Sequence, residues 1–182
     1  MGGEAKMTQE KQTALNEIEK KKELICKTAD HIWSHPELSL QEDQSAEYYC
    51  SVLENEGFEI ERGICGIRTA FSASFGKGSP KIGILAEYDA LSGLSQEAGS
   101  LEQKEIVPGG CGHGCGHNLL GAGSFGAVLG VKAYLEKTGH DGTVILFGCP
   151  GEEGGAAKAF MARDGLWKSL DAALTWHPED VN

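Results

Sequence analysis

Nowhere in its 182 residues does the sequence hold an unbroken run of the roughly 18 apolar residues that a membrane-spanning helix needs. Its N-terminus is polar and lacks the apolar stretch of a secretory signal, so the expected compartment is the cytoplasm. Basic residues are also scarce: 16 Lys and Arg stand against 27 Asp and Glu, a formal net charge of -11. Such a surface repels phosphate, which argues against nucleic acid or an anionic membrane as a partner and favours a small or metal-chelating substrate. The cysteines lack the regular spacing of a disulfide framework. Cys26, Cys50 and Cys65 are isolated, and only Cys111 and Cys115 lie close together. In a chain without a secretory signal they read as reduced thiols. No internal repeat or second domain is visible.

What is present is an ordinary apolar fraction, 40%, in a chain long enough to bury one core. Residues 1–9 read as a disordered leader, and residues 10–182 as one domain or a piece of one. Leu15, Ile18, Ile25, Ala29 and Ile32 recur at helical spacing, which predicts one long amphipathic helix ending before His35-Pro36. Ser39 and Glu42 have the spacing of a capping box, with Gly57 as a stop, predicting a second helix over residues 40–56. Residues 58–61, 67–75 and 81–87 then read as strands, the last two joined by the turn-like Gly76-Lys77-Gly78-Ser79-Pro80, a hairpin-rich start to a sheet. A long loop over 89–113 is expected to be functional or mobile. Beyond it come a small-residue-rich helix over 119–137 suited to close packing on a sheet, a buried strand over 143–148, a helix over 155–163 and a strand over 172–176. This alternation predicts an α/β fold with a mixed, mainly parallel sheet flanked by helices.

The chemistry-bearing residues fall at predicted strand ends. Glu87 and Asp89 follow one strand, Cys115 and His117 close the long loop, Glu152 and Glu153 follow the next strand, and His177 ends the last. Ligands collect at the carboxyl ends of strands in open α/β sheets, so these groups can converge on one site. Thiolate, imidazole and carboxylate together suit zinc or manganese, and two such ions need about five to seven of these donors. Glu152-Glu153 alone reads more readily as a solvated helix start, and His177-Pro178 alone as structural. Cys111-Gly-His113-Gly-Cys115-Gly-His117 has few structural explanations other than metal. His31, His35 and His140 read as surface or packing residues, and Cys149 as buried and inert.

On His113-Gly-Cys115-Gly-His117-Asn118, Gly148-Cys-Pro-Gly-Glu152-Glu153-Gly-Gly and Leu174-Thr-Trp-His177-Pro178, the sequence resembles the aminoacylase and carboxypeptidase superfamily of metallopeptidases. Within it the likeness is to the amidohydrolase branch, and to its p-aminobenzoyl-glutamate and dipeptide-type members through Ala86-Glu-Tyr-Asp-Ala-Leu91. The resemblance implies the N-terminal part of a zinc-peptidase-like catalytic domain that cleaves an N-acyl or N-aroyl amino acid or a dipeptide. It implies two divalent ions, zinc or manganese, held by Cys115, His117, Glu153 and His177, with Glu152 as general base and Asp89 as a supporting carboxylate. Glu87 stands where more distant relatives carry a metal-binding His, and Asn118 where most of the branch carries Asp. Family members are much longer, with a lid or dimerisation domain and a final His ligand that this chain does not reach. It therefore reads as truncated, expected by itself to bind metal weakly and turn over little. The full-length form is expected to be a homodimer or heteromer.

Two other readings compete with the hydrolase. A structural zinc module would require Cys111, His113, Cys115 and His117 in one closed site and leave Glu152 dispensable. A catalytically silent fragment or partner subunit would require a complementary chain.

Overall fold

A computed structural model describes residues 7–179. Residues 1–6 of the expected leader, and the last three residues, lie outside the described residues. The first helix, α1 (Gln9–Lys20), starts on Thr8, whose side chain accepts a hydrogen bond from the Lys11 N–H. Two helices, α1 and α2 (Lys22–Ser34), replace the single long helix expected. Lys21 interrupts the helix with ψ near 3°, and its ammonium reaches Glu56 at the end of α3 (Asp43–Asn55) at 2.7 Å. The bend lets both helices lie against one partner, with Ile18 of α1 meeting Gly130 and Ile25 of α2 meeting Gly126. As Pro36 dictates, α2 stops at Ser34.

Five strands follow: β1 (Glu59–Arg62), β2 (Phe71–Lys77), β3 (Lys81–Ala86), β4 (Gly142–Gly148) and β5 (Ala172–Leu174). They order as β1-β2-β4-β3-β5 in one mixed sheet. The antiparallel half is β1-β2-β4 and the parallel half is β4-β3-β5. Mixed character was expected; a hairpin between β2 and β3 was not found. Instead β4 inserts between them, pairing antiparallel with β2 and parallel with β3. The reason is burial: Val144 and Leu146 face one apolar cluster while Ile145 and Phe147 face the other, so β4 needs cover on both faces and takes a central position.

The crossover from β3 to β4 carries α4 (His117–Thr138), which ends on Gly139 in the left-handed conformation. Its small residues were expected to press on the sheet; several meet helices instead, Gly126 and Gly130 abutting α2 and α1. Gly121 faces the Tyr49 hydroxyl of α3 and the Glu87 carbonyl. The main core lies between the sheet and α2, α3 and α4, around Ile32, Tyr49, Leu53, Phe125 and Leu146. A smaller one on the opposite face joins Phe147, Cys149 and Met161 beneath α5 (Ala157–Arg163). No helix of the described residues is long and apolar enough to cross a membrane.

A Cβ at Gly121 would sit 2.3 Å from the Tyr49 hydroxyl oxygen and 2.8 Å from the Glu87 carbonyl oxygen. Gly121→Ala is therefore expected to cost about 1–3 kcal/mol despite alanine's better helix propensity, read from the denaturant midpoint. The cysteines offer a second check. Burial pushes the Cys50 thiol up to about 11 and Cys149 up to about 12, whereas Cys26 is exposed. Alkylation of the native protein near pH 8 should label Cys26 and spare Cys50 and Cys149 until the chain is unfolded, as peptide mass spectrometry would show.

Candidate metal centre

The parallel strands β3, β4 and β5 point the same way, so the segments leaving their carboxyl ends meet at one edge of the sheet. Glu87 and Asp89 leave β3, Glu152 and Glu153 leave β4, and His177 lies beyond β5. The long loop is held in place by bridges from Leu38 to Ala90 and from Leu91 to Gly112. It delivers Cys115 to the same edge, then turns on Gly116 at φ 77° so that His117 becomes the first residue of α4.

His117 sits at the centre and is fully buried. Its Nδ1 donates to the Asp89 Oδ1 at 2.9 Å, which turns Nε2 toward three further carboxylates. Glu87 Oε2 lies 3.1 Å from Nε2, and Glu152 and Glu153 each place an oxygen at 3.9 Å. None of them hydrogen-bonds to Nε2, which is buried without a partner. A neutral imidazole there would aim a lone pair at anionic oxygens, so the geometry calls for a cation, either a proton or a metal ion. Burial alone would pull His117 down. The hydrogen bond to Asp89, together with the charges of Asp89, Glu87 and Glu153, outweighs it and holds the pKa above the ordinary histidine value.

On the other flank Cys115 Sγ is 3.3 Å from His177 Nε2. Ligand atoms of Cys115, His117 and His177 all lie within 4.8 Å of one another, as do those of Glu87, His117 and Glu152. The two groups share His117, an arrangement able to seat neighbouring cations. Burial, and then the hydrogen bond and charge of Glu153, push the Cys115 thiol up to about 12, so a cation must displace its proton before it can act as a thiolate ligand.

Asp89 ties these parts together. Its Oδ2 accepts from the Ser39 hydroxyl at 2.8 Å and from the Glu153 N–H at 2.9 Å. Burial would raise its pKa, but the hydrogen bonds from His117, Glu153 and Ser39 prevail and hold it below the ordinary carboxylate value. A second buried carboxylate, Glu42, accepts from the Leu40 and Gly151 N–H groups, both at 2.8 Å, and from the Thr69 hydroxyl at 2.9 Å. It braces the turn that carries Glu152.

The expected residues thus converge: Asp89, Cys115, His117, Glu152, Glu153 and His177 share one locus. Cys111 and His113 do not join them. The Cys111 thiol donates to the Pro36 carbonyl at 3.0 Å, and His113 Nε2 lies 3.1 Å from the Ile32 carbonyl oxygen. Among the described residues, no group of donors gathers the closed four-residue site that a zinc module needs. The capping box is also corrected. Ser39 serves Asp89 and Glu42 serves Gly151; α3 begins only at Asp43, and its Gln44 and Ser45 N–H groups donate to the Glu37 carboxylate instead, at 3.0 and 2.9 Å. Lys158, which pairs with Glu87, carried no sequence signal at all.

Comparison with known proteins agrees with this architecture. Residues 83–181 match the family described as Peptidase family M20/M25/M40. The chain is 52% identical over 162 residues to a p-aminobenzoyl-glutamate hydrolase subunit of Escherichia coli, covering 89% of this chain and 34% of that protein. It is 32% identical to the hippurate hydrolase of Campylobacter jejuni, covering 83% of this chain and 38% of that one. Among solved structures, a dinuclear metal-binding peptidase of Bacillus subtilis superposes with a TM-score of 0.71 at 25% identity, over 88% of this chain and 44% of that one. The chain thus spans about a third of the length of the curated relatives it matches. A match over more than half of its length, with the strand-end cluster inside it, shows that the chain belongs to peptidase family M20/M25/M40.

Proposed function

We propose that this chain forms the metal-binding part of an amidohydrolase that cleaves an N-acyl or N-aroyl amino acid, of the p-aminobenzoyl-glutamate type, or a dipeptide. The observation that carries the reading is the unpartnered Nε2 of buried His117, fixed by Asp89 and facing carboxylates. The donors fit a pair of divalent ions: Cys115, His117, Glu153 and His177 would hold them, and the mixed thiolate, imidazole and carboxylate set suits zinc and tolerates manganese. When bound, the ions supply Lewis acidity, which polarises the scissile carbonyl and makes water acidic near neutral pH.

The chain's own residues divide the remaining work. Asp89 fixes the tautomer and orientation of His117 and anchors the backbone of Glu153. Glu152 makes no hydrogen bond among the described residues, and its side chain is 39% exposed. That freedom suits a general base, which takes a proton from the attacking water and returns it to the leaving amine nitrogen. A cleft of about 850 Å³ opens beside Cys115 and His177, with Trp33, His113, Asn118 and Leu119 in its walls. An aromatic acyl group fits such a wall. The resemblance to a protein named as a hydrolase subunit supports a dimeric or heteromeric full-length form, with small molecules as substrates.

Hydrolysis of p-aminobenzoyl-glutamate, hippurate and a dipeptide panel by the complete protein, with zinc or manganese added, tests the reading. Glu152→Gln should lower kcat by roughly 10²–10⁴ while metal content stays unchanged. Unaltered turnover in that variant would remove Glu152 from the chemistry. Asp89→Asn should weaken metal affinity roughly 10- to 100-fold, measured by chelator competition, since it frees both His117 and the Glu153 backbone.

A further inference from the structure

One ion pair at the centre is not explained by holding metal or by proton transfer. Lys158, in the first turn of α5, pairs its ammonium with Glu87 Oε1. The other oxygen of the same carboxylate, Oε2, lies 3.1 Å from His117 Nε2 and within the compact group formed by Glu87, His117 and Glu152. Glu87 is only 3% exposed, so the ion pair with Lys158 supplies at one oxygen the compensation that solvent does not. Lys158 is the only Lys or Arg, among the described residues, in ion-pair contact with Glu87, Asp89, Glu152 or Glu153. Its side chain is 34% exposed, so the ammonium can swing out to water at little cost, which the buried carboxylate cannot do.

We propose that Lys158 is a tethered competitor of the metal, an internal cation that occupies Glu87 when the site is empty and lowers divalent-ion affinity through that carboxylate. The inference rests on the metal reading above. Two cations bid for one carboxylate: the ammonium satisfies it from the α5 side, and a divalent ion seated at His117 satisfies it from the other. Each cation also repels the other across a few ångströms of poorly solvated space. Metal entry therefore has to displace or weaken the Lys158–Glu87 pair. In return, the pair compensates the charge of Glu87 while no ion is bound. The tether also sits where it can act, because α5 directly follows the loop that carries Glu152 and Glu153. Lys158 touches neither substrate nor reacting atoms on this reading; it acts on the metal through Glu87.

The test is zinc and manganese affinity of the complete protein, prepared metal-free and titrated against a chromophoric chelator, with the cobalt absorption spectrum as a second readout. Lys158→Met should bind zinc roughly tenfold more tightly than the parent, and Lys158→Arg should stay within about twofold of it. In a Glu87→Gln background the gain from Lys158→Met should shrink to less than about threefold, since the competed carboxylate is gone. The cobalt spectrum of Lys158→Met should shift relative to the parent, and that shift should vanish in the double variant. Unchanged or weaker zinc binding in Lys158→Met would overturn the proposal, and so would an undiminished tenfold gain in the Glu87→Gln background, which would reduce Lys158 to one surface charge among others. Lys158→Gln, which keeps most of the stem and a hydrogen-bond donor, carries the same comparison if the Met variant does not fold. A parent protein that binds no divalent ion sinks the metal reading itself, whereas metal binding indifferent to Lys158 sinks this inference alone.

Discussion

Asp89 is the point at which the tertiary structure and the chemistry are joined. One buried carboxylate accepts from three segments far apart in sequence: the start of α4 through His117, the loop after β4 through Glu153, and the α2–α3 connection through Ser39. A carboxylate offers about four lone-pair directions, and this one spends them on holding the His117 ring, the Glu153 backbone and the Ser39 hydroxyl behind both. Satisfied in this way it stays ionised although buried. Its hydrogen bond and charge in turn hold the His117 pKa above the ordinary histidine value against the pull of burial.

The same logic recurs in the surrounding acids. Glu42, Glu87 and Asp89 are all buried, and each is compensated differently. Glu42 is answered by two backbone N–H groups and a hydroxyl, Asp89 by an imidazole together with a hydroxyl and an N–H, and Glu87 by an ammonium. Burial raises Glu42 above the ordinary carboxylate value, its neutral donors recovering only part of the lost solvation, while the imidazole beside Asp89 tips that group the other way. Charge is thus concentrated where a cation can be received and neutralised where only a scaffold is needed. The exposed acid, Glu152, is left free of such ties, which suits it to shuttle a proton.

The scaffold that makes this workable is the parallel half of the sheet. Because β3, β4 and β5 run the same way, their exits lie side by side, and α4 starts at that same edge. Glycine allows the close approaches this requires. Gly121 brings α4 to the Glu87 carbonyl, and Gly116 turns the chain into the helix that presents His117. The strand that separates the two halves, β4, ends on the loop carrying Glu152 and Glu153, so the most buried element of the sheet also anchors the two exposed acids of the cluster.

Much of this was legible in the chain. Apolar periodicity placed most helices and strands to within a few residues, though it ran α1 and α2 together; Gly139 and Pro36 marked helix ends, and the position of acids, cysteine and histidines at strand ends located the cluster. Those signals are local: they depend on a side chain and its neighbours a turn or a strand step away. What only the tertiary structure decided was partnership. Ser39 and Glu42 have the spacing of a helix cap, yet Glu42 binds Gly151, 109 residues distant, and Ser39 binds Asp89, 50 residues distant. Cys111 and His113 have the same chemistry as Cys115 and His117, but the loop turns them toward the backbone of the α2 end instead. The place of β4 between β2 and β3, and the pairing of Lys158 with Glu87, likewise follow from which groups are buried together. A buried polar group must find a partner wherever the fold brings one, and sequence spacing carries no record of that distance.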